Sequence, residues 1–341
     1  MHARRRPALG GLLPILCATL ACVSKATLVP ESAPVTASPV AWVRPASIDE
    51  RARADRWRSA VGDPVVLDAN KTAEASDHVL TVVAWNTDVG GGDIGRLITD
   101  LRAGRLTGGR PVRSFVALLQ EVYRSDSDVP GRLRPHARSA RAVRSASRHP
   151  EIVTVARALG VSLYYVPSMR NGAAGNPPED RGNAILSTLP LSSLAAIELP
   201  LERQRRVVPV ASIDVAVEPH LSLRVASVHL SNMVGHHLWL LAEAARVRQA
   251  RALAEVLTRK DGPLVVGGDF NTWFGYHDAG YREVQRSIPT ARPSDRRPTF
   301  GRLRLDHVFY ILPPGWGAAV HRADEKYGSD HYPLIAEIRH R

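Results

Sequence analysis

Cysteine is nearly missing from this 341-residue chain: there are two, Cys17 and Cys22, and both fall in the first 26 residues. A domain that begins after them has no internal disulfide and no thiolate for catalysis or metal binding, so its stability must come from packing. An apolar run long enough to span a bilayer is also lacking. The run from Leu9 to Val23 holds roughly 15 residues, against ~20 for a transmembrane helix. Gly90-Gly91-Gly92 is not followed by Lys-Ser/Thr, and no dinucleotide fingerprint occurs, so this loop is read as a flexible lead into a helix and not as a nucleotide cradle. No internal repeat is found. A composition of 44% hydrophobic and 23% charged residues excludes a largely disordered or collagen-like chain.

What is present divides into three parts. Residues 1–26 carry Arg4, Arg5 and Arg6 ahead of the apolar run, then small residues, which is the pattern of an export signal. Cleavage after Ala26 and a lipoprotein reading with Cys22 as acceptor are both open, and with them release or a membrane anchor. Residues 27–76 are rich in Ala, Pro, Ser and Arg without a clean period and read as a linker with one short docking helix around Trp57. Residues 77–341 read as the catalytic domain. Net charge is +12, and the chain stays basic without Arg4, Arg5, Arg6 and Lys25. That balance points to a polyanionic partner, nucleic acid or an acidic membrane.

The domain alternates short β runs with helical ones. Strands are expected at Val79–Trp85, Phe115–Leu119, Leu163–Val166, Ala184–Ser187, Val207–Val217, Leu221–Leu230, Leu264–Gly267, Leu305–Ile311 and Leu334–Ile338. Several are apolar throughout, as strands covered on both faces require. Ile94, Leu97, Ile98 and Leu101 keep helical spacing, as do Ile152, Val155, Ala156 and Leu159, and Leu238–Leu257 is a longer amphipathic stretch. The run broken at Glu218-Pro219-His220 reads as an antiparallel hairpin. Two mixed β-sheets packed face to face and flanked by helices are the natural architecture.

Polar residues sit where these strands end. Asn86 closes the first, Glu121 the second, His229 another, Asp269 and Asn271 a fourth; Asp306 stands in Arg304-Leu305-Asp306-His307, and Asp330 with His331 precede the last strand. One Asn or Asp at a strand end is usually a turn former. A set of carboxylates and amides from several strand ends converges on one rim, and oxygen-rich ligands suit a hard cation such as Mg²⁺ better than zinc.

Taken in order, Trp85-Asn86, Gln120-Glu121, Ser227-Val228-His229, Gly268-Asp269-Phe270-Asn271, Leu305-Asp306-His307 and Ser329-Asp330-His331 resemble the endonuclease/exonuclease/phosphatase superfamily over roughly Asp77 to the C-terminus. The resemblance implies a four-layer α/β sandwich and Mg²⁺- or Mn²⁺-dependent hydrolysis of a phosphate ester by water. It places Asn86, Glu121 and Asp330 at the metal. His331 with Asp306 is the base or a phosphate clamp, Asp269 the competing base, Asn271 its companion in placing water, and His229 a phosphate contact or the acid. Asn232 stands beside His229. Asn183, Arg181 and Arg170, with Arg205 and Arg206, are candidates for supporting or lining the cleft, and a family acid orienting the His229 counterpart has no aligned equivalent, since Glu179 and Asp180 are out of register. The expected activity is an exported phosphodiesterase acting on nucleic acid, with a phospholipid or sphingolipid headgroup, or a phosphate-binding module without catalysis, as alternatives. Arg134, Arg138, Arg141, Arg144 and Arg148 share helix spacing with no acid among them and could follow a phosphate backbone.

Overall fold

A computed structural model describes residues 25–31, 39–69, 79–131, 149–171, 178–215, 220–232 and 239–340. The leader with Cys17 and Cys22, and the arginine-rich stretch 132–148, lie outside the described residues. Fourteen strands and five α-helices follow in chain order: β1 Leu28–Pro30, β2 Ala41–Pro45, α1 Ile48–Arg58, β3 Val65–Leu67, β4 Val79–Asn86, α2 Ile94–Arg102, β5 Phe115–Ser125, α3 Ile152–Leu159, β6 Ser162–Asn171, β7 Glu179–Ser187, β8 Ser192–Glu198, β9 Val207–Val215, β10 Leu221–His229, α4 Trp239–Thr258, β11 Leu264–Asp269, α5 Ala279–Ser287, β12 Asp306–Ile311, β13 Trp316–Arg322 and β14 Leu334–His340.

The strands form two seven-stranded sheets, ordered β1-β2-β8-β9-β10-β11-β12 and β13-β14-β4-β5-β7-β6-β3. Both are mixed: β10 runs parallel to β11 and β4 to β5, while β9–β10 and β11–β12 are antiparallel. Alternation along each strand sends side chains to opposite faces, and this separates three apolar cores. Val82, Ala84, Val116, Leu118, Val225, Val265 and Val308 fill the space between the sheets. Val83, Leu119 and Tyr165 face α2 and α3 through Leu97, Ile98, Ile152 and Ala156. Val228, Leu264, Val266 and Phe309 face α4 and α5 through Leu253 and Val284. Helix, sheet, sheet and helix therefore stack as four layers.

Residues 27–76 differ from the linker reading. β1 and β2 extend one sheet, β3 extends the other, and α1 spans the region around Trp57. Arg44 on β2 explains why the sequence hides this. Buried, it donates Nε to Glu198 Oε2 at 2.7 Å and also reaches Glu31 and Asp55, while Glu198 takes Arg205 Nε at 2.5 Å. A charge in a short strand reads as surface until its distant partners are known. Ser47 caps α1 by accepting from the Glu50 amide, and Arg248 of α4 holds Glu50 and Glu202, fastening this segment to the body.

Candidate active site

The two sheets bring six strand ends to one rim. β10, β11 and β12 lie side by side so that His229 is paired in register with Asp269, and Asp269 with Asp306. Across the sandwich, Asn86 ends β4, Glu121 lies in β5, and Asp330 and His331 enter just before β14. A cleft of about 180 Å³ between them is lined by Asn86, Asp88, Glu121, His229, Asn232, Asp269, Asn271, Trp273, Phe300, Leu305, Asp330 and His331.

Local backbone irregularity aims several of these groups. β5 slips register against β7 between Leu119 and Val122, and Glu121 inside that bulge has φ 54°. A bulge redirects a side chain, and a positive φ at a non-glycine residue is strain that marks functional positions. Asn271 also has φ 52°, a conformation asparagine tolerates, and its amide N–H donates to Asp269 Oδ1 at 2.8 Å. Gly268 has φ 145°, and a Cβ there would meet the Val228 carbonyl oxygen at 2.0 Å and Gln120 Nε2 at 2.8 Å. Only glycine lets β11 deliver Asp269 past β10.

Asp269 is the hub. Its Oδ2 accepts from Asn86 Nδ2 at 3.0 Å and lies 3.5 Å from His229 Nε2 and 3.9 Å from His331 Nε2. Burial pushes its carboxyl above the usual aspartate range; the nearby Asp306 adds to this, against the opposing effect of His331 and of the donors from Asn271 and Asn86. His331 Nδ1 is 2.8 Å from Asp306 Oδ2, and its ring packs on Phe300 at 4.8 Å. Burial alone would lower this imidazole, but Asp306, Asp269 and Asp330 outweigh it and raise it to about 10. His331 is therefore an imidazolium at neutral pH. Asp306 in turn receives Thr299 Oγ1's company at its own backbone N–H, which fixes the start of β12.

His229 has the opposite character. Buried, it is held well below the ordinary histidine value by desolvation and then by the Arg206 guanidinium. Arg206 Nη1 lies 3.2 Å from His229 Nδ1, and His229 Nε2 faces Glu121 Oε1 at 3.8 Å.

A second group of acids faces across the cleft. Asp88, two residues past Asn86 and with φ 50°, was not among the sequence candidates. Burial raises its carboxyl, and the charges of Asp330 and Glu121 raise it further. Asp330 is raised by burial and by Glu121, while His331 opposes. Asp88 and Asp330, each raised by burial first and by neighbouring acid charge second, thus stand with Glu121 in the cleft lining. Asp88, Glu121 and Asp330 are oxygen donors of the kind a hard divalent ion takes, while Asn86 Oδ1 accepts the Asp88 backbone N–H at 3.1 Å. Asp269, Asp306 and His331 also offer ligand atoms within 4.8 Å of one another. Among the described residues this is the group whose ligand atoms come together; its His331 is already a cation between the two carboxylates, so Asp88, Glu121 and Asp330 are the alternative oxygen donors in the cleft.

The remaining candidates fall elsewhere. Arg170, read as a cleft residue, is turned to the Pro130 carbonyl and lines neither the cleft nor its margin. Asn183 spends its amide on the Val207 carbonyl at 2.9 Å, bracing the sheets beneath the site. Arg181 stands beside the cleft, Nη1 3.9 Å from Glu121 Oε2, in a recess with Asn183, Arg206 and His229. Arg205 is taken by Glu198 and the carbonyls of Pro167 and Ser168. Asn232 is exposed at the cleft mouth.

The family model of the endonuclease/exonuclease/phosphatase family matches residues 83–331, which include every strand-end residue above. The chain belongs to this family. Among curated relatives, a UPF0294 protein of Vibrio parahaemolyticus is 33% identical over 126 residues, covering 34% of this chain and 40% of that protein. A UPF0294 protein of Vibrio cholerae is 33% identical over 103 residues, covering 27% and 33%. The chain thus spans less than half the length of these relatives. Among solved structures, a family protein from Leptotrichia buccalis superposes with TM-score 0.50 at 13% identity, over 76% of this chain and 99% of that one. The human Nocturnin catalytic domain gives 0.49 at 17% identity, over 82% and 98%. Sphingomyelinase C from Streptomyces griseocarneus gives 0.48 at 18%, over 76% and 99%. At these identities the likeness concerns the fold. Family membership gives the fold and the set of strand-end residues, and activity and substrate are matters for the site.

Proposed function

We propose that this protein is an exported, divalent-metal-dependent phosphodiesterase and that its substrate is nucleic acid. One observation carries the reading: Asp88, Glu121, Asp330 and His331 from one sheet and His229 and Asp269 from the other line a single cleft, with His331 held from behind by the buried Asp306. Mg²⁺ or Mn²⁺ would be held by Asp88, Glu121 and Asp330 and would supply neutralisation of charge on the scissile phosphate. His331, cationic and fixed by Asp306, binds a non-bridging phosphate oxygen. Asp269, whose carboxyl is raised and whose geometry is set by Asn86 and Asn271, takes the proton of the attacking water; of the two candidate bases it is the one free to accept. A module that only bound phosphate has no use for such a base.

Nucleic acid is favoured by the basic chain and by Trp273 and Phe300 in the cleft lining, since an aromatic face beside a phosphate site suits a base. A lipid headgroup is the second reading. It is favoured by an apolar groove of about 360 Å³ lined by Ile94, Val122, Ile152 and Val155 together with Thr87, whose chain neighbours Asn86 and Asp88 line the cleft, and by Cys22 as an acceptor for lipid. The test is hydrolysis by the protein with its 27–76 segment retained, with Mg²⁺ and with chelator, of plasmid DNA, RNA, sphingomyelin and phosphatidylcholine. Mg²⁺-dependent nicking that disappears in Glu121→Ala supports the nuclease; headgroup release without nicking replaces it with the lipid reading.

A further inference from the structure

The side chain behind His229 is a cation where a carboxylate would be needed to make that histidine a proton donor. Arg206 immediately precedes β9, is fully enclosed, and lies with Nη1 3.2 Å from His229 Nδ1. A guanidinium has five N–H donors and no acceptor. Contact at that distance is a hydrogen bond only if Nδ1 presents its lone pair, which leaves the ring's single proton on Nε2. Nε2 is the atom that faces the cleft, 3.5 Å from Asp269 Oδ2 and 3.8 Å from Glu121 Oε1.

The nearby acids are committed elsewhere. Asp180 receives Arg124, Tyr165 and the Gly62 amide, and Glu179 receives Asn171. Arg206 is meanwhile pinned from both sides. Its carbonyl accepts the Leu199 amide, the next residue's amide donates to Ser168 Oγ at 3.3 Å, and the residue before it is clamped by Glu198. These bonds fix the Arg206 backbone, and burial keeps its guanidinium beside Nδ1.

We infer that Arg206 is a positioning residue that holds His229 in the Nε2–H tautomer, so that His229 serves the phosphoester as a fixed hydrogen-bond donor and not as the acid that protonates the leaving oxygen. With Nδ1 bare the ring is neutral, and a second proton would set two cations in contact inside a buried site. The leaving oxygen therefore takes its proton from solvent or another group. The inference rests on the phosphodiesterase reading for its chemistry, but its test does not need turnover.

That test is nitrogen-proton correlation NMR of the full chain labelled with ¹⁵N-histidine at neutral pH, the His229 signals being assigned by their loss in His229→Gln. A protonated Nε2 and a bare Nδ1 are the expected pattern. Arg206→Lys, which still offers only donors, keeps it, and Arg206→Glu moves the proton to Nδ1. A wild-type ring protonated at Nδ1 overturns the inference, and this spectrum decides even where Arg206→Glu does not fold. A kinetic arm reads the role: the loss in His229→Gln is equal, within about threefold, for aryl and alkyl phosphodiesters, whereas a loss that grows with leaving-group basicity assigns His229 as the acid. A protein that cleaves no phosphodiester but shows the Nε2–H tautomer refutes the proposed function and leaves the Arg206 assignment standing.

Discussion

Asp306→Asn is the substitution that isolates the charge behind His331. The native pair sits at 2.8 Å with Asp306 wholly buried, and His331 stands at about 10 against an ordinary 6.5. That difference is worth roughly 5 kcal/mol at 1.36 kcal/mol per pH unit, as an order of magnitude. Burial acts in the other direction, so the surrounding carboxylates supply all of it, with Asp306 foremost. The amide keeps the size and an acceptor oxygen but not the charge, and only Asp269 and Asp330 remain to hold the proton. We expect His331 in the variant to titrate at least about two pH units lower, close to neutrality. Because the native group is raised on folding, its stabilisation is fully present below 6.5 and is lost as pH rises through about 10. The wild type should therefore lose stability between those values and Asp306→Asn should lose much less. Activity at neutral pH should fall by about 10²- to 10⁴-fold, the scale for disabling a positioned proton-bearing group. NMR titration of His331, urea melts at pH 6 and 9, and kcat/KM for the same preparation provide the three readings. An unchanged His331 titration in Asp306→Asn would refute the reasoning, as would kcat/KM within threefold of wild type.

Further outcomes follow from the same geometry. Glu121→Ala and His331→Ala should each lose at least about 10²-fold in turnover with the fold retained by circular dichroism; near-native rates in either remove the site assignment. If Asp269 is the base, kcat/KM falls with decreasing pH through an apparent value above the ordinary aspartate figure of ~3.9, and a rate flat down to pH 5 contradicts it. Gly268→Ala forces a Cβ to 2.0 Å from the Val228 carbonyl oxygen and should cost more than the ~1–3 kcal/mol of ordinary overpacking, seen as a large fall in melting temperature. Arg44→Met strands Glu198 with Arg205 alone and should cost about 3–5 kcal/mol at neutral pH. Burial raises Glu198, but Arg205 and Arg44 lower it further than that. Its contribution is thus present above the ordinary glutamate value and lost on acidification, so the gap between wild type and variant should close toward low pH.

Nine strands were legible because their apolar runs report burial on both faces, and each is present; six run on past the expected ends, while β10 and β12 are each one residue shorter and β9 is described to Val215. The strands that were not legible are short or lie toward sheet edges. β2 hides behind Arg44, whose buried charge makes sense only beside Glu198, more than 150 positions away. β13, at an edge, is largely half-buried and lacks an apolar face strong enough to read. α5 announces itself weakly, since four buried residues among nine carry it. In the site, residues that end strands could be found, because a strand fixes where its last side chain goes. Asp88 could not, because it lies in a turn whose left-handed backbone alone brings it back over the cleft; its place two residues after Asn86 was the available signal. Arg206 was legible only as one of several arginines, and nothing local distinguishes it from Arg170, which turns away to Pro130. The tether reading of residues 27–76 failed for the same reason: its role is written in partners from β8 and α4. A chain cut at Asp77 leaves Glu198 without Arg44 and Arg248 without Glu50 and uncovers two sheet edges, so functional assays belong on protein that keeps this segment.

The central claim is that Asp88, Glu121 and Asp330, gathered at the rim by β4, β5 and β14, hold a divalent ion that the hydrolysis of a phosphodiester requires. Isothermal titration of Mg²⁺ and Mn²⁺ into the protein, beside Asp88→Asn and Glu121→Gln and alongside plasmid nicking, tests it most directly. The account predicts one cation site in the wild type, weakened at least about tenfold in each variant, with nicking lost in parallel. Equal cation binding in wild type and both variants, or nicking that persists in chelator, would contradict it.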